Sequence, residues 1–199
     1  MTFSKTIPFF IIILLVCIQC KKEDPSINLL SAPDNWRKET IKFPLSFAPS
    51  LSYKGTEYVR FAPGWGKQDS KEYFSYAFLW YLDEDPKLST STLESELEIY
   101  FNGLVQAVSE PNSPSLDNIP KAKAFFEQID NKSYAGKVLT YDPFTTKKEV
   151  NLNIIATYTP CKNKDKHMVV FRISPQQIDH AVWNKLNKLS INMNCELKN

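Results

Sequence analysis

The segment Tyr73–Leu82, YFSYAFLWYL, constrains the fold more than any other part of the chain. Side chains alternate across a strand, so Phe74, Tyr76, Phe78, Trp80 and Leu82 would share one face. Tyr73, Ala77, Leu79 and Tyr81 would share the other. Both faces are apolar. Such a strand belongs in the middle of a sheet that is covered on both sides. The chain must therefore supply flanking strands and a covering layer for each face. Asp83-Glu84-Asp85-Pro86 then turns the chain.

Shorter runs supply the rest. Trp36–Phe43, ended by Pro44, and Glu57–Phe61, ended by Pro63-Gly64, read as strands. A helix is predicted over 91–108, where Leu93, Leu97, Tyr100, Leu104 and Val108 form one apolar stripe. Ser91 with Glu94 fits a capping box, and Glu94, Glu96 and Glu98 suit the helix dipole. Pro111 and Pro114 close this helix. Residues 122–173 read as a β-meander: Ala124–Ile129, Tyr134–Tyr141, Lys148–Tyr158 and His167–Ile173, with turns around 142–145 and 162–166. A second helix is predicted over 175–189, with Ser174 as cap, Pro175 in the first turn and a stripe of Ile178, Val182, Leu186 and Leu189. Aromatic residues make up 13% of the chain and only five residues are Gly, which argues for a packed fold over disorder. The expectation is an α+β fold: a mainly antiparallel β-sheet of about six to seven strands with two main α-helices, forming one domain over 34–199. The order of elements resembles the Mog1/PsbP-like arrangement of an antiparallel sheet flanked by helices. That likeness implies a fold and no functional site.

Ahead of the domain, residues 7–18 (IPFFIIILLVCI) are nearly all apolar, with one Lys before them and Gln19-Cys20-Lys21-Lys22-Glu23-Asp24 after them. A membrane-spanning helix needs about 20 apolar residues, so this run is too short. A short basic start and a brief apolar core are the pattern of an export signal. The segment resembles the type II signal of bacterial lipoproteins, in which a Cys directly follows the apolar core. The resemblance implies that residues 1–19 are a signal peptide and that Cys20 carries the lipid, palmitate-type acyl chains included. It implies that residues 20–33 are a tether and that the protein sits in the cell envelope, anchored to the outer membrane on its periplasmic or surface face. More than one acyl chain is needed for stable anchoring. The residue before the Cys is normally small, and here it is Gln19; Cys17, preceded by Leu15 and Val16, is a rival cleavage site.

The rest of the chain carries few chemical motifs. Residues 20–119 hold 10 basic and 15 acidic residues, and residues 120–199 hold 13 and 7. This asymmetry fits either a basic face toward an anionic partner or two halves of one domain side by side. Arg occurs only at positions 37, 60 and 172, and no basic-aromatic run accompanies it, so nucleic acid is not an expected partner. There is no G-x-S-x-G elbow, and the two His, His167 and His180, have no nucleophile beside them in sequence. Cys161 and His167 lack a second pair of zinc ligands, and scattered Gly cannot build a phosphate loop. No cofactor or metal is expected. Cys161 and Cys195 are a disulfide candidate, with two free thiols as the rival reading. Phe61-Ala62-Pro63-Gly64-Trp65-Gly66 is the candidate contact segment: Trp65 either projects toward a partner or folds back onto the core. The functional expectation is a non-enzymatic binding domain, tethered by Cys20, for an unknown protein or small-molecule partner. The alternative is an envelope hydrolase with dispersed acidic residues.

Overall fold

A computed structural model describes residues 29–109 and 118–195. The expected signal peptide, Cys17, Cys20, most of the tether and the loop with Pro111 and Pro114 lie outside the described residues. The chain runs β1 (Leu30–Ser31), β2 (Arg37–Lys42), β3 (Gly55–Phe61), β4 (Tyr76–Leu82), α1 (Thr90–Val108), β5 (Lys123–Gln128) and β6 (Ser133–Tyr141). It continues through β7 (Glu149–Cys161), β8 (Lys166–Ser174), α2 (Ala181–Asn187) and β9 (Ser190–Ile191). This is an α+β fold built on a seven-stranded antiparallel sheet of order β2-β3-β4-β8-β7-β6-β5, with β1 and β9 paired separately. The meander β5–β8 joins the first half of the sheet where β8 pairs with β4.

The central position of β4 follows from its two apolar faces. Phe78, Trp80 and Leu82 are fully buried on one side, in a core shared with Leu93, Leu97, Tyr100 and Phe101 of α1. Ring centroids of Phe78 and Phe171 lie 4.6 Å apart, and those of Phe78 and Tyr100 lie 5.0 Å apart. Such ring pairs add about 0.5–1.5 kcal/mol each beyond area burial. Ala77 and Leu79 face a second core, closed by Val182, Trp183 and Leu186 of α2, by Trp36 and by Leu29 and Leu30. Arg60 is fully buried beneath this layer, where its Nε donates to the Leu30 carbonyl at 2.7 Å. The domain therefore takes in Leu29–Ser31, which the sequence assigned to a tether ending at 33. Cys161 and Cys195 are joined in a disulfide with Cα atoms 4.5 Å apart, tying the C-terminal segment to the end of β7.

Three sequence-based boundaries are corrected. First, β4 begins at Tyr76, because Phe74 adopts φ +49 and turns the chain. Tyr73 consequently packs on the α1 side with Phe74. Second, α1 is capped by Ser89, whose Oγ accepts from the Thr92 amide at 3.1 Å. Glu94, expected to close a capping box with Ser91, reaches across to β5. Third, the second helix begins at Ala181 with His180 as its cap, well after Pro175, and ends at Asn187. Ser174 stays in the ladder opposite Asn153. The Gln176 carbonyl accepts from Asn153 Nδ2 and Trp183 Nε1, so it is engaged outside any helical ladder.

Helix α1 also closes one edge of the sheet. Glu94 Oε1 accepts from the Phe126 amide at 2.9 Å, Glu98 Oε1 from Ala124 at 3.2 Å, and Asn102 Oδ1 from Ala122 at 2.8 Å. Four helical residues rise about 6 Å and two strand residues about 6.8 Å, so acceptors at i, i+4 and i+8 match alternate strand amides. No helix among the described residues is long and apolar enough to cross a membrane.

Candidate functional site

On the α1 side, no side chain among the described residues fills the end of the sheet formed by β2–β4. Register decides what lines it. Arg37 pairs with Phe61, Glu39 with Val59 and Ile41 with Glu57, so all six share one face. Helix α1 roofs this face, and Gly103 lets it lie close against the segment between β2 and β3, since a Cβ there would run into the Phe47 carbonyl oxygen. Beyond Gly103 the stripe residues Leu104 and Val108 hang over open space, whereas Phe101 and Val105 take up the core. The result is a cavity of about 320 Å³. Its walls are Phe47, Phe61, Trp65, Phe74, Tyr76, Tyr100 and Phe144, and its rim carries Arg37, Glu39 and Ser46.

Trp65 is therefore a wall of the cavity. It is half-buried, with its ring 4.9 Å from Phe61, 5.7 Å from Phe74 and 5.1 Å from Phe144. Its indole N–H is buried and finds no hydrogen-bond partner among the described residues. The loop carrying it is fixed by Glu72, which accepts from the Gly64 amide at 2.9 Å and pairs with Lys185 of α2 at 2.5 Å. Phe144 is held over the opening by Asp142. That carboxylate accepts from the amides of Phe144, Thr145 and Thr146 and from the Tyr73 hydroxyl at 2.6 Å. Burial pushes the Asp142 carboxyl up, but these hydrogen bonds outweigh it and hold it below the usual range.

Glu57 lies at the cavity floor and is fully buried. Its Oε2 accepts from Trp80 Nε1 at 2.7 Å and its Oε1 from the Tyr100 hydroxyl at 3.3 Å. Desolvation dominates over these two bonds and pushes the carboxyl from 4.5 up to about 8, with the nearby Glu39 adding to the rise. At neutral pH Glu57 is thus a buried neutral acid. Arg37 stands at the rim with its guanidinium 4.0 Å over the Phe61 ring and 5.1 Å over Trp65, and it pairs with Glu39 at 3.2 Å. The Tyr76 hydroxyl is a further polar group on this face, on a side chain that is 3% exposed.

The sequence singled out Trp65 but not Glu57. The signal was present: Glu57, Val59 and Phe61 occur at i, i+2 and i+4, so a strand that buries Val59 buries Glu57 too. The histidines, Cys161 and the acidic turn at 83–85 lie elsewhere. His167 Nδ1 is 2.7 Å from the Tyr158 hydroxyl, and His180 caps α2. Asp83 pairs with Lys166 at 2.6 Å. Cys161, bonded to Cys195, is not available as a thiolate ligand. A second buried carboxyl, Glu96, accepts from the Tyr53 hydroxyl and is pushed up to about 7 by burial. It borders a more open, serine-lined cleft. No protein-family model matches the chain, and no curated protein or solved structure matches it.

Proposed function

We propose that this chain is a lipid-anchored cell-envelope protein whose domain binds a small, largely apolar ligand in the aromatic cavity above β2–β4. One observation carries the binding role: about 320 Å³ of space walled by aromatic rings, with a few polar groups converging on it. That is the composition of a small-molecule site. The anchor rests on the apolar run over 7–18 followed by Cys20. Membrane attachment through that lipid holds the cavity near the surface, with no nucleic acid involved.

A hydrolase is the second reading, and Glu39 and Glu57 lining the same cavity favour it. The arrangement suits binding better. Glu39 is already paired with Arg37 at the rim, and Glu57 is engaged by Trp80 and Tyr100.

The test is saturation-transfer NMR with 2-phenylethanol on the full chain in a non-ionic detergent, alongside Leu104→Trp, which fills the cavity from α1. Transfer to the probe that disappears in the variant supports the reading. Equal transfer in both proteins places binding elsewhere and refutes it. For the anchor, palmitate labelling that persists in Cys20→Ala would reject the attachment site.

A further inference from the structure

Resting on that binding reading, we infer that the cavity takes an organic cation: an ammonium group on an apolar or aromatic body, seated with its charge toward Glu57. Two carboxyls and one guanidinium border the cavity. The guanidinium of Arg37 is matched to Glu39 at the rim. Among the described residues Glu57 has no cationic partner at the floor; it meets an indole N–H and a phenol. A buried carboxyl left in this state keeps its proton, and a ligand cation that reached it would let it ionise as one half of a buried ion pair.

The walls suit the same chemistry. A cation is attracted to the face of an aromatic ring, most strongly where water is excluded. Two of the rings, Phe61 and Trp65, already hold a cation at the rim in the form of Arg37. Tyr76, Tyr100 and Phe74 extend the aromatic lining inward. An anion would find the opposite conditions. The one guanidinium is engaged, and the floor carries an acid that could only become negative.

Binding of a cation should release the Glu57 proton to solvent. The groups facing Glu57 are Glu39 and Arg37 from β2, Tyr76 and Trp80 from β4, and Tyr100 from α1. Burial and Glu57 hold the phenols of Tyr76 and Tyr100 well above their ordinary value, so they stay neutral across the pH range of interest.

The experiment compares 2-phenylethylamine, 2-phenylethanol and phenylacetate on the full chain in non-ionic detergent at pH 6, 7 and 8. The three differ in charge on one skeleton. The amine is expected to bind roughly tenfold or more tighter than the alcohol at pH 8. Its affinity should fall toward pH 6 by up to about tenfold per unit, while that of the alcohol stays level. In Glu57→Gln the preference and the pH slope should both vanish, and retained binding of the alcohol reports that the cavity is still folded. If alcohol and amine bind equally, or phenylacetate binds most tightly, the cation proposal is overturned and the cavity reading stands. If none binds, both fall.

Discussion

Replacing Glu57 by Gln should make this protein less sensitive to alkaline pH, by an amount that follows from burial. In the folded chain the carboxyl keeps its proton up to about pH 8, whereas its ordinary value is 4.5. Between those values the folded state holds a proton that the unfolded state has released. Stability is therefore fully present below pH 4.5 and declines as the pH rises through the window to about 8. Each pH unit is worth 1.36 kcal/mol, so a window of about 3.5 units corresponds to about 5 kcal/mol. Gln keeps nearly the same shape. Its carbonyl can accept from Trp80 Nε1, and its amide can donate to the Tyr100 oxygen once that hydroxyl rotates. Urea unfolding of both proteins at pH 5, 6, 7, 8 and 9 measures the effect as a difference, so titrations common to the two cancel. The Glu57→Gln protein should gain on the parent by about 4 kcal/mol between pH 5 and pH 9, the first part of the window already lying below pH 5. A difference curve that changes by less than about 1 kcal/mol would refute the claim that Glu57 is held neutral.

Glu98→Ala removes the acceptor for the Ala124 amide, at a cost of about 1–3 kcal/mol. Hydrogen exchange should quicken at Ala124 while β4 amides change only in step with global stability; unchanged exchange at Ala124 would contradict the edge contact. Cys161→Ser with Cys195→Ser opens a loop with a sequence separation of 34 and should lower stability by about 4 kcal/mol in urea. A midpoint unaffected by reductant in the parent would argue against the bond. Asp142→Ala should cost about 1–3 kcal/mol by leaving three amides without their acceptor, and it should loosen Phe144 from Trp65. The parent loses this contribution as pH falls through the lowered Asp142 value, so acid unfolding should be shallower in the variant.

The sheet was readable because its signals are local and periodic. The stretch Tyr76–Leu82 carries its two-faced burial in seven letters, and the meander strands alternate plainly between turn residues. Ser174-Pro175-Gln176-Gln177 misled because a good helix start competes with the ladder opposite Asn153, and two side-chain donors claim the Gln176 carbonyl. The Leu104 and Val108 end of the α1 stripe read as core but roofs a space, since periodicity reports which way a side chain points and not whether anything meets it. The cavity itself was out of reach. It depends on β2 register, on the Asp142 turn that brings Phe144 over the opening, and on the Trp65 loop pinned through Glu72 to α2, contacts spanning up to 113 residues.

The acceptors that α1 extends to β5 bear on how this protein behaves when crowded. A sheet grows by adding strands at an edge whose amides are unclaimed, and that is the route by which folded chains template one another into aggregates. Here the β5 edge offers few such amides, because Glu94, Glu98 and Asn102 occupy them in order. The opposite edge, β2, presents Arg37, Lys38, Glu39 and Lys42 within six residues, a strand whose charges would have to be desolvated before another could lie against it. A helix that serves as a false eighth strand on one side, and a charged strand on the other, leave neither edge of this sheet an easy template for a further strand.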